Sequence, residues 1–160
     1  MVNWQKGILY ELNQFNIIVF CSKEPIIMET KSIKRIVKFD CNPAEAYSLI
    51  MDAEKHSAFS GANVIMSKKP NGKFDIFDGY CQGYNIELFE GKKIVQGWHF
   101  AEDGWPDDHY STCTFLFEPL ENKTKLTFIQ TNVPAHKVEE LRKGWNQYYW
   151  EPIKAYLKNK

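Results

Sequence analysis

The stretch WHFAEDGWPDDHYST, residues 98–112, brings acidic, histidine and tryptophan side chains within a few positions of each other. Its Asp107-Asp108-His109 run has the residue types of an acid–base group, because a carboxylate neighbour can tune the pKa of a histidine. Neighbouring residues of a strand or turn point in different directions, however, and the stretch offers no set of nucleophile, base and orienting group. Pro106 followed by two aspartates is also common in turns. The pattern therefore favours a loop that shapes a binding surface over a catalytic centre.

The remaining residues that could support catalysis or metal binding are scattered along the chain. No C-x-x-C or clustered Cys/His spacing, typical of zinc sites, is present. The serines lie in no nucleophile-elbow pattern, and the glycines form no phosphate-binding loop. The histidines and cysteines are His56, His99, His109, His136, Cys21, Cys41, Cys81 and Cys113. We therefore expect no enzymatic activity, no metal and no cofactor, and the scattered thiols are typical of a reducing compartment such as the cytoplasm.

Composition indicates one globular domain that binds neither nucleic acid nor membrane. The chain has 160 residues, of which 44% are hydrophobic and 25% charged, which suits a domain with its own core. Twenty basic and twenty acidic residues give a net charge of zero, whereas a nucleic-acid binder needs a basic surface. Residues 8–21 are too short and too interrupted to span a bilayer, and they lack the features of a signal peptide. We predict that residues 1–28 are an irregular, dispensable leader and that residues 29–160 are the domain.

Alternation and turn signals predict the elements of the first and middle parts of the domain. Apolar and basic residues alternate over 31–39, which predicts a half-buried strand. Asn42-Pro43-Ala44-Glu45 is typical of a helix start, with Asn42 as the cap, so we expect one or two short helices up to about residue 59. Asn71-Gly72 between two apolar runs predicts a hairpin. Further strands are predicted at 83–89, 92–100, 110–118 and 124–131, with Tyr84, Ile86 and Leu88 on one face of the first and Ile94, Trp98 and Phe100 on one face of the second.

The last segment has the period of a helix. Its apolar positions repeat every 3.6 residues over 136–157 and form one broad face. They are Val138, Leu141, Trp145, Tyr148, Tyr149, Ile153 and Tyr156. A helix of this extent is roughly 30 Å long, and Pro152 should bend it near its end because proline lacks a backbone donor. The element order predicts an α+β fold in which a curved antiparallel sheet of about six or seven strands packs on one long C-terminal helix, with two short helices after the first strand.

The second half of the chain carries a family resemblance. The residues concerned are Trp98, Trp105-Pro106, His109-Tyr110-Ser111, Gln130-Thr131, Val133-Pro134, Gly144-Trp145 and Tyr148-Tyr149-Trp150-Glu151-Pro152. In this order they resemble the domain shared by activators of the heat-shock protein 90 ATPase and their single-domain relatives. From about Met28 the first half matches mainly in the layout of strand and helices.

The resemblance implies a helix-grip fold of the START-like and Bet v-like superfamily, which often encloses a cavity between sheet and long helix. In two-domain activators, the counterpart of this domain is the C-terminal one. It cooperates with a larger N-terminal domain to bind the chaperone and speed ATP hydrolysis. The resemblance therefore implies a co-chaperone-like partner of heat-shock protein 90.

Aromatic residues are the main compositional excess, with five Trp, eight Tyr and eleven Phe. Most must be core, because one sheet face and one helix face have to be buried. We expect Trp98, Trp145 and Tyr149 to be mainly structural. The alternative is that they line a cavity with a few polar tips, which is the usual composition of a small-molecule pocket.

The loop residues are the candidates for a partner contact. Trp105 lies in the loop rather than on a strand, so we expect it to be exposed and to act as an interface anchor. His109 and Tyr110 lie beside it. The leading hypothesis is a module that binds heat-shock protein 90 and modulates its ATPase. The alternative is a carrier of a small apolar ligand, and a third hypothesis is an enzyme of the same superfold.

Overall fold

Residues 27–160, which the computed structural model describes, contain one antiparallel sheet of seven strands. The strands are β1 (Thr30–Phe39), β2 (Val64–Met66), β3 (Lys73–Ile76), β4 (Cys81–Phe89), β5 (Lys93–Phe100), β6 (Ser111–Leu120) and β7 (Lys123–Pro134). Their order across the sheet is β1-β7-β6-β5-β4-β3-β2, so β1 and β2 form opposite edges. This confirms the predicted antiparallel sheet. Residues 1–26, which make up most of the predicted leader, lie outside the described residues.

Two short helices, α1 (Pro43–Met51) and α2 (Ala53–Ser60), connect β1 to β2, as predicted. Local chemistry sets their ends. The Asn42 side chain accepts a hydrogen bond from the Glu45 N–H at 2.9 Å, and Pro43 occupies the start of α1, where a missing backbone donor has no cost. Asp52 caps α2 in the same way. Gly61 ends α2 with a φ of 70°, a left-handed conformation that glycine adopts readily.

β4 separates residues that were predicted to lie on one face. Cys81, Gly83 and Asn85 point into the core, whereas Tyr84 and Ile86 are exposed on the outer face of the sheet. A β-bulge at residues 85–87 shifts the register towards the end of the strand, where Leu88 packs against the core. The prediction that Tyr84, Ile86 and Leu88 share one face is therefore wrong for Leu88.

Crowding explains why small residues of β4 face the core. The ring of Phe74 lies so close to Gly83 that an added Cβ would come within 2.5 Å of its Cζ atom and 1.9 Å of the Gly97 backbone oxygen. Phe74 in turn packs against Trp98 at a ring-centroid distance of 5.0 Å. Only glycine fits beneath these rings at this position, and the neighbouring side chain of Tyr84 lies on the opposite face.

The C-terminal segment is helical from residue 135 to residue 158, with a π turn inside it. It contains a 3₁₀ turn (Ala135–Lys137), α3 (Val138–Trp145), the π turn (Asn146–Trp150) and α4 (Glu151–Lys158). The Glu151 N–H donates to the Asn146 oxygen, five residues earlier. The next residue, Pro152, cannot donate at all, so the irregularity lies where the proline was expected to disturb the helix.

The π turn changes which aromatic residues face the sheet. Trp150 is buried with an exposure of 2%, whereas Tyr148 is 51% exposed. The prediction placed Tyr148 on the buried face and omitted Trp150, and it was wrong at both positions. A π turn holds one more residue than an α turn. Two adjacent residues, Tyr149 and Trp150, therefore share the inner face.

Candidate functional site

Trp98, Trp145 and Tyr149 form the centre of the core. Trp98 comes from β5, Trp145 from the end of α3 and Tyr149 from the π turn. The ring centroids of Trp98 and Trp145 are 5.1 Å apart, and those of Trp145 and Tyr149 are 4.6 Å apart. All three side chains are buried. Their rings join the sheet to the helix, which is a structural role.

Buried amide side chains satisfy the hydrogen-bonding groups of these tryptophans. The Trp98 indole N–H donates to Gln96 Oε1 at 3.1 Å, and Gln96 Nε2 donates to Asn85 Oδ1 at 2.8 Å. Asn85 Nδ2 then donates to the backbone oxygens of Ser67 and Lys69, at 2.7 and 3.0 Å. An indole N–H inside a core would otherwise be costly to bury. This chain of amides therefore couples Trp98 to the β2–β3 hairpin.

A second chain of hydrogen bonds serves the helix. Trp145 donates its indole N–H to Gln130 Oε1 at 2.8 Å, and Gln130 Nε2 donates to Ser111 Oγ at 2.8 Å. Ser111 Oγ donates to the Trp98 backbone oxygen at 3.3 Å. The role of Gln96 in the first chain, as the acceptor for the Trp98 indole N–H, was not predicted from the sequence. The available signal was an amide at an inward-facing strand position between apolar residues.

His56 is a buried structural residue rather than an acid–base group. Its Nδ1 lies 3.0 Å from the Ile50 oxygen, and its Nε2 lies 3.2 Å from the Tyr149 hydroxyl. Because Ile50 O can only accept, Nδ1 carries the proton and Nε2 accepts from Tyr149. Burial lowers the pKa of His56 to about 4, since the charged imidazolium is poorly solvated there. Neutral His56 thus joins α2 to the π turn.

Trp105 is buried, so its expected exposure is wrong. Only 5% of its surface is exposed, and its ring packs against Phe100 at 4.9 Å and His109 at 5.5 Å. Its indole N–H donates to the His109 backbone oxygen at 2.9 Å. The loop folds back on the end of β5, where the indole gains both an apolar neighbour and an acceptor. Trp105 therefore anchors the loop from inside.

The Asp-Asp-His run does not form a catalytic group in the described part of the chain. His109 Nε2 lies 2.7 Å from the Asn132 backbone oxygen, to which it must donate. Asp107 and Asp108 are exposed, and no hydrogen bond joins either of them to a histidine within residues 27–160. The residues of this run build the loop.

The same loop is tied to the start of the C-terminal helical segment. His136 Nε2 donates to the Gly104 oxygen at 2.9 Å. Lys137 Nζ lies 3.1 Å from Glu102 Oε1 in a largely buried ion pair, and the Tyr80 hydroxyl donates to Glu102 Oε2. Burial, and then the Glu102 carboxylate, raise the pKa of Tyr80. These contacts hold the loop between Tyr80 and the 3₁₀ turn, so the exposed side chains of the loop have defined positions.

A set of exposed and half-buried residues lies on the outer face of the sheet, at this loop and on the strands that lead to it. This outer patch consists of Tyr84, Ile86, His99 and Tyr110. Tyr84 and Tyr110 are 39% and 40% exposed, with ring centroids 5.4 Å apart, and His99 lies 5.6 Å from Tyr110. Of the predicted contact residues, only Tyr110 belongs to it. Tyr84 and His99 were not predicted as contact residues, because the alternation of their strands was interpreted for core positions alone.

The space between the sheet and the C-terminal segment is filled by aromatic rings, and a groove remains at one side. The groove has a volume of about 470 Å³ and lies between β1 and the helical segment at α3 and the π turn. Phe128, Trp145 and Trp150 form its floor. Trp98 and Tyr149 are not among its lining residues. The alternative hypothesis placed a cavity at Trp98, Trp145 and Tyr149, and there the three rings pack against each other.

Within residues 27–160, no three His, Cys, Asp or Glu side chains come together in a way that could hold a metal ion. In the same part of the chain, every helix is too short or too polar to cross a membrane.

Comparison with known proteins places the domain in a family. The sequence family described as Activator of Hsp90 ATPase homolog 1-like protein matches residues 40–158. A human relative, activator of 90 kDa heat shock protein ATPase homolog 1, is 34% identical over 116 residues, which cover 72% of this chain and 34% of that protein. A relative from Dictyostelium discoideum, named activator of 90 kDa heat shock protein ATPase homolog, is 30% identical over 86% of this chain and 36% of its own length. The chain thus spans about a third of the curated relatives it matches.

Solved structures agree on the fold. The crystal structure of an HSP90 activator from Plasmodium falciparum superposes with a TM-score of 0.74 at 29% identity, covering 79% of this chain and 96% of that one. A protein from Mesorhizobium loti superposes with a TM-score of 0.70 at 14% identity, covering 81% of this chain and 98% of that one. This second likeness shows the fold alone.

Proposed function

The chain belongs to the family of activator of Hsp90 ATPase homolog 1-like proteins, and from this premise we propose that it binds the 90 kDa heat-shock protein and modulates its ATPase. Relatives that carry this name cover most of the described domain. In this proposal the chain is a regulator of another protein's catalysis rather than a catalyst. It would meet the chaperone in the cytoplasm.

The observation that carries this proposal is the outer patch. Tyrosine is enriched at the centres of protein interfaces, because one side chain offers apolar area and a polar tip. Tyr84 and Tyr110 pack against each other, so their rings are ordered before a partner arrives, and ordered side chains lose less entropy on binding. The Trp105 indole N–H donates to the backbone oxygen of His109, the residue before Tyr110, and so fixes the loop that carries Tyr110. We therefore place the chaperone contact on Tyr84, His99 and Tyr110.

The carrier hypothesis has less support. A carrier of an apolar molecule needs an interior volume, whereas the rings of Trp98, Trp145 and Tyr149 pack against each other beneath the helix. The groove beside β1 is open and flanked by basic side chains. A buried apolar ligand would have to displace part of the core.

The test is titration of purified 90 kDa heat-shock protein from the same organism with the wild-type chain and tyrosine variants. Tyr110→Ala and Tyr84→Ala should each weaken binding by about thirtyfold, the loss typical of an interface anchor. Tyr148→Ala is the matched control, because this tyrosine is also exposed but lies on the helical segment. ATP turnover by the chaperone is followed in the same titrations. Equal binding by all variants would exclude the outer patch, and absence of wild-type binding would exclude the proposed function.

A further inference from the structure

The groove beside β1 is flanked by positive charge on both sides. Lys34 and Arg35 line it from β1, and Arg142 and Lys143 line it from α3. No aspartate or glutamate is among its lining residues. Within residues 27–160, Lys34, Arg35 and Lys143 form no ion pair, while Arg142 Nε lies 3.5 Å from an exposed carboxylate oxygen of Glu139. Three of the four cations that line the groove therefore have no ion-pair partner among the described residues, in a chain whose net charge is zero.

The groove runs along the edge of the sheet. Ile33, Lys34 and Arg35 are consecutive, and consecutive side chains of a strand point to opposite faces. All three line the groove, so it follows the margin of β1 instead of crossing one face. In the described part of the chain β1 pairs with β7 alone. Its free side presents backbone N–H and C=O groups, to which an extended segment can add as a further strand.

We propose that this groove binds an acidic, extended peptide segment of a partner protein. Carboxylates of such a segment would pair with the cations of both walls, and charge-assisted hydrogen bonds to arginine are the stronger kind. Its apolar side chains would lie towards Phe128 and Trp150 on the floor. An open groove suits a chain that passes through it, whereas a small ligand is usually enclosed.

Protection of the sheet edge accounts for only part of this positive charge. Lysines on an edge strand discourage unwanted strand pairing, which explains Lys34 but not Arg142 and Lys143 on the opposite wall. The segment 1–26 of this chain is a second potential occupant of the groove. It contains two lysines and two glutamates, so it offers no net negative charge to match the cations.

The test uses a fluorescently labelled peptide of about ten residues that alternates glutamate and valine, because β1 has a similar length. The full chain is titrated into this probe, and binding is followed by fluorescence anisotropy at low and at physiological salt. The groove variant is Lys34→Glu/Lys143→Glu. The matched control is Lys69→Glu/Lys73→Glu, which makes the same charge change at exposed lysines near the β2–β3 hairpin. Thermal melts of both variants verify that they fold.

We expect wild type to bind the peptide, and to bind it more weakly as salt rises. The groove variant should bind about tenfold more weakly, because two attractions become repulsions, and the control should stay within about twofold of wild type. Equal losses in both variants would show a general charge effect and overturn the proposal. So would binding of dodecanoate, but not of the peptide, with the same dependence on the groove residues. The assay contains no chaperone, so its failure leaves the proposed function untouched.

Discussion

A hydrogen bond between Trp105 and His109 closes the loop between β5 and β6. The indole N–H of Trp105 donates to the backbone oxygen of His109 at 2.9 Å, and His99 Nδ1 lies 3.1 Å from the same oxygen. A carbonyl oxygen has two lone pairs and can accept both hydrogen bonds. One backbone atom thus joins the loop to β5, and the loop presents Tyr110 in a defined position.

Replacement of Trp105 should therefore affect stability. Trp105→Ala should lower the free energy of unfolding by about 3–5 kcal/mol, the usual loss for a buried tryptophan. Trp105→Phe keeps most of the packing and loses the N–H, so we expect a loss of about 1–2 kcal/mol. Urea denaturation measures both. Asp108→Asn, in the same loop but exposed, is the control and should stay within about 0.5 kcal/mol of wild type. A similarly small effect of Trp105→Ala would show that the ring does not hold the loop.

Two glycines in neighbouring strands, Gly83 of β4 and Gly97 of β5, should respond differently to alanine. At Gly97 an added Cβ would lie 2.8 Å from ring atoms of Tyr84, which can swing outwards, whereas at Gly83 it would meet a backbone oxygen at 1.9 Å. Gly97→Ala should therefore cost about 1 kcal/mol and Gly83→Ala about 3 kcal/mol or more, since overpacking costs most where nothing can move.

A double variant isolates the Gly97–Tyr84 contact. Adding Tyr84→Ala to Gly97→Ala removes the clash, so the double variant should be more stable than the sum of the single effects predicts. Urea denaturation of the four proteins gives the coupling free energy. Strict additivity would mean that the Tyr84 ring does not lie over Gly97.

Stability should fall in mild acid because of His56. Its pKa is lowered from 6.5 to about 4 in the folded protein, so the unfolded chain takes up this proton first as the pH falls. Stability is complete above pH 6.5 and is lost progressively between 6.5 and 4, by up to about 3 kcal/mol. His56→Gln should be less stable at pH 7 but should lose most of this pH dependence. The unfolding free energy of both proteins is measured by chemical denaturation at each pH. If it falls equally with pH in wild type and in His56→Gln, His56 does not protonate in this range.

Acidic groups affect stability in a separate pH range. Hydrogen bonding and charge from Lys123 lower the pKa of Asp40 below its usual value of 3.8. Their contribution is present above that value and is lost only as the pH falls further. The interval between pH 6.5 and about 5 is therefore suited to measuring His56.

The parts of the fold that depend on short-range chemistry could be predicted from the sequence. Asn42 caps α1 through a residue three positions away, and the hairpin at Asn71-Gly72 needs only a local left-handed conformation, with a φ of 60° at Asn71. The alternation that places Ile94, Trp98 and Phe100 on the inner face of β5 is also local. Such signals are contained within a few residues, so no knowledge of distant contacts is needed.

The errors arose where distant neighbours decide the outcome. Trp105 is buried because Phe100 and the His109 oxygen lie within its reach, and loop position alone cannot reveal that. Leu88 lies on the opposite face from Tyr84 because the bulge at residues 85–87 shifts the register. In each case the residue type was compatible with either environment. With Trp105 buried, the candidate contact residues are those of the outer patch.

The π turn determines which aromatic residues of the C-terminal helical segment stabilise the protein. Trp150→Ala should destabilise the protein by about 3–5 kcal/mol, because a buried tryptophan is removed, and Trp150 packs against Phe39 and Phe128. Tyr148→Ala should cost less than about 1 kcal/mol, since surface positions usually contribute little. An uninterrupted α-helix in phase with Trp145 would favour Tyr148 and Tyr149 on the inner face and would turn Trp150 away from it. The π turn reverses that expectation, so denaturant midpoints of the two variants distinguish the two geometries. A larger loss for Tyr148→Ala than for Trp150→Ala would mean that the segment is a regular helix.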